Sequence, residues 1–267
     1  MSRALADEAT IQWYPGHMVR QMRRIVEDLR AIDIVVEVAD ARVPLAGTNP
    51  TLARIAGKRP RLLVLSRAQL ADPAMTDEWL AYYRERERPV IAVDAKDRNG
   101  SARLRAVVEE MARGRRSARV IVLGIPNAGK STAINALVGR KVARAEDRAG
   151  ITRARQWFRV GGSLEIMDTA GILVPKIESA ESQWKLAVVG AVPRARFDSE
   201  DVVARFHRWR VATDPETTVP DLVTFAQSRG FVRHGTMADT HNASWAYLKE
   251  LGDGKFGRMT FEEPKDP

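Results

Sequence analysis

The chain contains no cysteine, few aromatic residues and no long apolar run. The absence of cysteine among its 267 residues excludes disulfide bonds and zinc sites built from thiolates. Its four histidines are scattered and lack the spacing of a metal cluster. No uninterrupted stretch of about twenty apolar residues occurs, so the sequence predicts no membrane-spanning helix. The N-terminal segment contains two acidic residues and no apolar core, unlike a secretory signal, and we expect a soluble, cytoplasmic protein.

Basic residues outnumber acidic residues. The chain has 43 lysines and arginines against 34 aspartates and glutamates, a net charge of +9. A surplus of this size favours a polyanionic partner, because each phosphate that a basic side chain neutralises releases counterions. Nucleic acid is therefore the predicted partner class. The apolar fraction of 45% is sufficient for a packed core, and the length fits one large domain or two modest ones.

A glycine-rich segment lies near the middle of the chain. Residues 124–131 read G-I-P-N-A-G-K-S, the complete phosphate-binding pattern G-x-x-x-x-G-K-[ST]. A predicted strand precedes the segment and a predicted helix follows it, which is the context in which backbone N–H groups surround phosphates. We expect Lys130 to reach the outer phosphates and the Ser131 hydroxyl to bind Mg²⁺. The predicted nucleotide-binding residues of this loop are Asn127, Ala128, Gly129, Lys130, Ser131 and Thr132.

A second motif, D-T-A-G at residues 168–171, lies downstream of the loop. The Asp168 carboxylate can hold Mg²⁺ there, and the N–H of Gly171 can contact a γ-phosphate. Thr152 lies between the two motifs and is a candidate switch threonine that binds Mg²⁺. Ile172 stands where related NTPases carry the glutamine that orients water. Hydrolysis therefore needs a polar group from elsewhere, or the site binds nucleotide without turnover.

Predicted strands alternate with predicted helices through most of the chain. The stretches predicted as strands are residues 34–38, 62–65, 90–93, 120–123, 155–160 and 164–167. Helical patterns separate the first four, and an amphipathic helix is predicted at residues 15–32. The alternation predicts an α/β fold with a mostly parallel sheet and helices on both faces. We expect two domains, residues 1–176 with this fold and a small helical domain of residues 177–267.

Segments that resemble base-contact motifs come before the phosphate motifs. Residues 66–69 read S-R-A-Q, and residues 94–96 read D-A-K, where guanine-specific NTPases carry N-K-x-D and S-A-K. In most such proteins N-K-x-D follows the phosphate loop. This reversed order resembles the circularly permuted GTPases of the ribosome biogenesis GTPase A family. Other shared segments are W-Y-P-G-H-M (13–18), D-A-R-V-P-L (40–45), N-P (49–50), D-T-A-G-I-L (168–173), P-K (175–176) and G-K-F-G-R (254–258).

The resemblance implies a circularly permuted P-loop NTPase domain that hydrolyses GTP with Mg²⁺. It also implies a role in assembly of the large ribosomal subunit through ribosomal RNA, and we expect a monomer. His17 matches a histidine implicated in hydrolysis, and Asn127 matches an asparagine that lets related GTPases use K⁺. The predicted catalytic residues are His17, Lys130 and Thr152; the metal ligands are Ser131, Thr152 and Asp168; the base-site residues are Ser66, Arg67, Gln69, Asp94 and Ala95. The candidate RNA contacts are Arg205, Arg208, Arg210, Arg229, Arg233, Lys255 and Arg258.

Three positions depart from the family pattern. Gln69 replaces the aspartate that accepts hydrogen bonds from guanine, and its N–H₂ would leave groups unpaired at a cost of roughly 1–3 kcal/mol each. An amide instead complements adenine. Asp94 replaces a serine, and Ala149 replaces a proline. We therefore expect nucleotide binding with weakened guanine selectivity. Two alternatives stay open: a weakly hydrolysing RNA scaffold and an ATPase of relaxed base specificity.

Overall fold

Two compact units make up the protein in a computed structural model. The structure describes residues 16–140, 156–169, 177, 179–233 and 237–264; of residues 16–22 and 53 it describes the backbone alone. An α/β unit contains the described residues up to 169 and those from 258 onward, and a helical unit contains those from 177 to 257. Within these ranges, no helix has the length and apolar character needed to cross a membrane.

The α/β unit is built on one six-stranded sheet. Its elements are α1 (Gly16–Leu29), β1 (Ile34–Asp40), α2 (Pro50–Ala56), β2 (Arg61–Ser66), α3 (Pro73–Glu85), β3 (Val90–Val93), α4 (Arg98–Met111), β4 (Ala118–Gly124), α5 (Lys130–Val138), β5 (Gln156–Val160) and β6 (Leu164–Asp168). The strand order is β3-β2-β1-β4-β6-β5, and only β5 runs antiparallel to its neighbour. All seven residues of β1 are buried, as expected for a central parallel strand that is covered on both faces.

The register brings the carboxyl ends of five parallel strands to one edge of the sheet. Asp40 of β1 pairs with Ser66 of β2, and Ser66 pairs with Val93 of β3. On the other side of β1, the strands β4 and β6 end at Gly124 and Asp168. The chain steps outward from β1 to β2 and β3, then returns to β4 on the opposite side of β1. Ligands of open α/β sheets bind at such a switch point.

The described residues of the helical unit form four α-helices, one 3₁₀ turn (Arg194–Arg196) and one pair of short antiparallel strands. The helices and strands are α6 (Ala180–Val188), α7 (Ser199–Thr213), α8 (Leu222–Ser228), β7 (Val232–Arg233), β8 (Met237–Ala238) and α9 (Thr240–Gly252). Aromatic rings hold the helices together: the ring centroid of Tyr247 lies 4.9 Å from that of Phe225 and 6.1 Å from that of Phe206. The sequence predicted the four helices. It did not predict the strand pair, because strands of two residues are too short to show a period.

The C-terminal residues depart from the predicted domain boundary. We expected residues 177–267 to form the helical domain, but residues 258–264 belong to the α/β unit. The N–H of Met259 donates to the carbonyl of Leu70 (3.0 Å), and the N–H of Phe261 donates to that of Arg42 (2.8 Å). The side chains of Met259 and Phe261 are both buried. The prediction was wrong here because two apolar side chains in a short extended segment give no signal against the helical pattern before it.

Candidate nucleotide-binding site

The phosphate-binding loop connects β4 to α5 in a conformation that its glycines permit. At Gly124 a Cβ atom would lie 2.2 Å from the backbone oxygen of Val38 on the neighbouring strand. Gly129 has a φ of 89°, and its Cβ would lie 3.1 Å from the hydroxyl of Ser66. Asn127 also adopts a left-handed conformation, with a φ of 57°. Both glycines of the motif are therefore required by the packing of the loop, in addition to the space that they leave for a ligand.

Lys130 is held inside this loop. Its side chain is 8% exposed, and Nζ donates a hydrogen bond to the carbonyl of Ile125 (2.8 Å). Burial lowers the pKa of Lys130 to about 8, while the nearby carboxylate of Asp168 acts in the opposite direction. The charged form of this lysine is costly where it lies, because the surrounding protein replaces water. A negative ligand at the loop would favour the charged form.

The expected metal ligands lie on two elements that meet at the same edge. Ser131 and Thr132 are half-buried in the first turn of α5, and Asp168 is half-buried at the end of β6. The hydroxyl of Thr169 donates to the carbonyl of Val122 on β4 (2.7 Å). This bond attaches the start of the second motif to the strand that carries the phosphate loop.

The segment at residues 66–69 contacts the phosphate loop directly. The Ser66 hydroxyl donates to the carbonyl of Ala128 in the loop (2.5 Å). Arg67 has a left-handed φ of 56°, and its Nη1 donates to Oδ2 of Asp40 (3.2 Å). Gln69 is exposed in a 3₁₀ turn, Ala68–Leu70. The serine thus links the base segment to the loop, and the exposed amide is available to a ligand.

The third segment lies at the end of β3. Oδ1 of Asp94 accepts a hydrogen bond from the N–H of Lys96 (2.9 Å), which forms a tight local turn. Asp94 is half-buried, and Ala95 is buried. Because β3 pairs with β2 in parallel and Val93 lies opposite Ser66, this turn lies next to the carboxyl end of β2. The structure therefore brings both predicted base segments to the edge that carries the phosphate loop.

A buried ion pair beside the site was missed by sequence reasoning. Asp40 is fully buried, and its carboxylate accepts two hydrogen bonds from Arg42, from Nε and Nη2, each at 2.9 Å. Burial alone would raise the pKa of Asp40, but Arg42 and Arg67 outweigh this effect and hold it below its ordinary value. The acid–arginine spacing in D-A-R was the available signal. It was interpreted only as a family feature, whereas the pair fixes the residues around Arg67.

Three predicted residues cannot be placed in this geometry. Thr152 and Gly171 lie outside the described residues, and only the backbone of His17 is described, within α1. The other predicted site residues lie at or beside the carboxyl ends of β2, β3, β4 and β6. The phosphate segment therefore lies centrally, and the two segments predicted to contact the base lie to one side of it.

Comparison with known proteins identifies the family. The family model for the 50S ribosome-binding GTPase matches residues 119–204. The chain is 36% identical to the ribosome biogenesis GTPase A of Bacillus cereus, over 96% of this chain and 95% of that protein. It is 31% identical to the one from Thermotoga maritima, with the same coverage. This chain belongs to the ribosome biogenesis GTPase A family.

Solved structures agree with this family assignment. The crystal structure of GNP-bound YlqF from T. maritima matches with a TM-score of 0.73 at 29% identity, covering 93% of this chain and all of that chain. GDP-bound YlqF matches with the same TM-score at 31% identity, covering 91% of this chain and all of that one. The predicted family and the predicted fold, a circularly permuted P-loop domain with a mostly parallel sheet, are confirmed.

Most basic side chains that we predicted as RNA contacts in this family member pair with acidic neighbours. The pairs are Arg205 with Asp201, Arg210 with Asp214, Arg229 and Lys255 with Glu250, and Arg233 with Asp239. Arg258 lies in the α/β unit, where it donates to the carbonyl of Ala71 (2.8 Å). The helical unit therefore presents less uncompensated positive charge than its sequence suggested.

Proposed function

We propose that this protein binds and hydrolyses GTP, and that it acts in assembly of the large ribosomal subunit through ribosomal RNA. The observation that supports this proposal best is Lys130, buried in a phosphate loop at the same sheet edge as Asp168 and the segment at Ser66. The relatives named ribosome biogenesis GTPase A support the cellular role. We further propose that the protein is cytoplasmic and works as a monomer.

The chain supplies the groups that a bound triphosphate needs. Backbone N–H groups of the loop and the ammonium of Lys130 would contact the phosphates, and the left-handed Asn127 and Gly129 let the loop curve around them. Ser131, Thr152 and Asp168 would hold Mg²⁺, which when bound neutralises charge between the phosphates. The oxygen donors fit this ion, because Mg²⁺ accepts one or two carboxylates together with phosphates and water. Asn127 would support K⁺ at the same loop.

The polar group for hydrolysis comes from outside the second motif in this proposal, because Ile172 cannot orient water. We assign the role to His17. A His17→Ala variant should lose most of its GTP turnover while its GTP affinity, measured by calorimetry with a non-hydrolysable analogue, stays within about twofold. If GTP turnover and GTP affinity fall by the same factor, this role is contradicted and His17 would instead be needed for the structure of the site. Lys130→Ala serves as the control that loses affinity.

The base site supports binding with reduced guanine selectivity. Ser66 retains the hydrogen bond to the loop, but the exposed Gln69 offers an amide where guanine needs a carboxylate. Calorimetry with GTP, ATP and XTP measures the preference directly. A GTP preference above about a thousandfold would refute weakened selectivity, because such ratios need an intact hydrogen-bonding site. Gln69→Asp should increase the preference for GTP over ATP.

Association with ribosomal particles tests the cellular role. Full-length protein should co-sediment with precursors of the large subunit more strongly with a GTP analogue than with GDP or without nucleotide. Lys130→Ala should remove this nucleotide dependence. The scaffold alternative instead requires equal association in all three states and negligible turnover of GTP and ATP. An ATPase would show turnover of ATP at least equal to that of GTP in the presence of subunits.

A further inference from the structure

A second cleft lies in the α/β unit, away from the phosphate loop. Its volume is about 580 Å³, and it is lined by residues around the start of α2, by the end of α3 and by the residues that lead into β2 and β3. Arg61 is the first residue of β2 and Ser66 is the last, so the two lie about 16 Å apart at about 3.3 Å per residue. The cleft is therefore a separate feature from the proposed nucleotide site.

Positive charge dominates the lining of this cleft. The basic residues are Lys58, Arg59, Arg61, Arg86 and Arg88, against a single acidic lining residue, Glu87. Glu37 is buried, pairs with Arg88 (2.7 Å) and also interacts electrostatically with Arg61, so the five basic residues of the lining stand against two acidic residues, Glu37 and Glu87. Arg59 donates to the carbonyls of Ile32 and Ala56, so these bonds fix its position without neutralising it. The cleft retains a net positive charge.

Two buried donors in the lining lack an acceptor. Among the described residues, three buried side-chain donors have no hydrogen-bond partner, and two of them, Asn49 Nδ2 and Arg61 Nη1, belong to residues that line this cleft; the third is Arg105 Nε, outside it. Asn49 is 2% exposed, and its Oδ1 already accepts from the N–H of Thr51 (2.9 Å), so its unpaired atom is a donor. A buried unpaired donor costs about 1–3 kcal/mol, and native proteins satisfy nearly all such groups. In the described part of the chain no acceptor lies within hydrogen-bond distance of either atom, so water or a ligand in the cleft would have to supply one.

Aromatic surface lies beside these donors. Tyr82 and Tyr83 line the cleft, and the guanidinium carbon of Arg86 lies 3.7 Å from the centroid of the Tyr82 ring. Arginine planes and aromatic rings are the surfaces on which proteins stack unpaired RNA bases. A cleft of this volume also exceeds what a single phosphate group fills, since clefts of about 300–1,000 Å³ accept ligands of many atoms.

We propose that this cleft binds a backbone phosphate of single-stranded RNA together with its adjoining base. A phosphodiester presents only acceptors, which is what Asn49 and Arg61 lack, and it carries the charge that the basic rim attracts. The identification of RNA as the polymer rests on the proposed function. The preference for a phosphate-bearing ligand does not, because it comes from the unpaired donors and the basic lining.

Anisotropy of a short fluorescent single-stranded RNA, titrated with the full-length protein, tests this proposal. Lys58→Glu and Arg61→Gln should each weaken RNA binding about fivefold or more, as expected for losing about 1 kcal/mol or more. The matched controls are Arg103→Glu and Arg103→Gln, because Arg103 is exposed on α4, outside the lining, and the changes in charge are equal. The slope of log affinity against log salt should decrease by about 0.7 for each RNA phosphate that a variant no longer neutralises.

Three outcomes would overturn the proposal. Cleft variants that lose no more affinity than the Arg103 variants would remove the cleft from RNA binding. Equal losses of RNA affinity in Arg61→Gln and in Arg61→Lys, which keeps the charge, with circular dichroism and GDP affinity unchanged in both, would show that the positive charge at this position does not bind RNA. Displacement of the RNA by inorganic phosphate or a nucleoside monophosphate at similar affinity would make the ligand a free phosphate compound.

This test is independent of the proposed GTPase activity. Lys130→Ala should bind the RNA as the parent protein does, because Lys130 lies in the phosphate loop. The cleft variants should keep the GTP turnover of the parent protein. If neither the parent protein nor any variant hydrolyses GTP, the proposed function is refuted and the RNA result remains. If the cleft variants hydrolyse GTP normally and bind RNA as tightly as the parent protein does, only the RNA-binding role of the cleft is refuted.

Discussion

Nucleotide binding at alkaline pH should be accompanied by proton uptake at Lys130. In the ligand-free protein the side chain is buried against the carbonyl of Ile125, and burial lowers the pKa of Lys130 to about 8. Phosphate oxygens beside Nζ favour the ammonium form and raise this pKa again. At a pH between the pKa of Lys130 in the free protein and its higher pKa in the complex, the free protein has lost a proton that the complex retains. Binding in this range must therefore take up a proton from the solvent.

The magnitude follows from the titration of one group. With a pKa of about 8, Lys130 is about one-quarter protonated near pH 8.5, so binding should take up about three-quarters of a proton per nucleotide. Near pH 6.5 the lysine is already protonated, and we expect about zero uptake at this site. The terminal phosphate of the nucleotide, with a second pKa of about 6, is ionised near pH 8.5 and adds little.

Calorimetry in buffers of different ionisation enthalpy measures this uptake. The slope of the observed binding enthalpy against the buffer ionisation enthalpy gives the number of protons at each pH. Lys130→Arg is the control, because arginine keeps its charge at both values of pH and should show no uptake. Equal proton numbers at the two values of pH, or an uptake that persists in Lys130→Arg, would refute the reasoning.

The same shift has a consequence for the ligand-free fold. Because the pKa of Lys130 is lower in the folded chain than in the unfolded chain, the unfolded chain binds more protons between about pH 8 and pH 10.5. Stability should therefore rise with pH across this window, and the cost of the buried ammonium is fully present below it. A bound nucleotide offsets that cost, so saturation with GDP should flatten the rise.

Further predictions concern the packing around the loop. Gly129→Ala should lower the free energy of unfolding in urea by about 1–2 kcal/mol, because its φ of 89° disfavours a side chain; Gly162→Ala, at an open turn, is the control and should have little effect. Ser66→Ala should cost about 1 kcal/mol and weaken GDP binding in calorimetry, because a loop carbonyl loses its donor. Asp40→Asn should destabilise by about 3–5 kcal/mol, because Arg42 would keep a buried charge without its carboxylate; an unchanged urea midpoint would contradict this.

The sheet and the phosphate loop could be predicted because their signals are local. Continuous apolar runs identify buried parallel strands; β2 and β4 contain such runs, and in β1 the run is interrupted only by Glu37 before its end at Asp40. Motif residues then fix which strand ends carry the site. The helix boundaries were less accurate: α4 begins at Arg98 and not at Ser101, because the Asp97 carboxylate caps its first turn.

Features that depend on packing between distant segments could not be predicted. Asn49 and Arg61 are twelve residues apart in the chain, and only the folded structure shows that both line one cleft with their donors unpaired. The same holds for Glu262, whose carboxylate accepts from the N–H of Leu45 (2.7 Å) across 217 residues. Neither hydrophobic periodicity nor motif spacing predicts these contacts, because they form between segments that come together only in the folded chain.

The described residues of the α/β unit that border the helical unit along the chain lie next to parts of the proposed nucleotide site. The last described residue of the α/β unit before the helical unit is Thr169, whose hydroxyl is bonded to β4 beside the phosphate loop. The first residue after the helical unit is Arg258, which donates to the carbonyls of Ala68 and Ala71 around the turn that carries Gln69. A change at the phosphates and a change at the base would therefore each act on a residue that borders the helical unit along the chain. We expect nucleotide state to affect these two bordering segments of the α/β unit, as order and disorder of switch segments do in other GTPases.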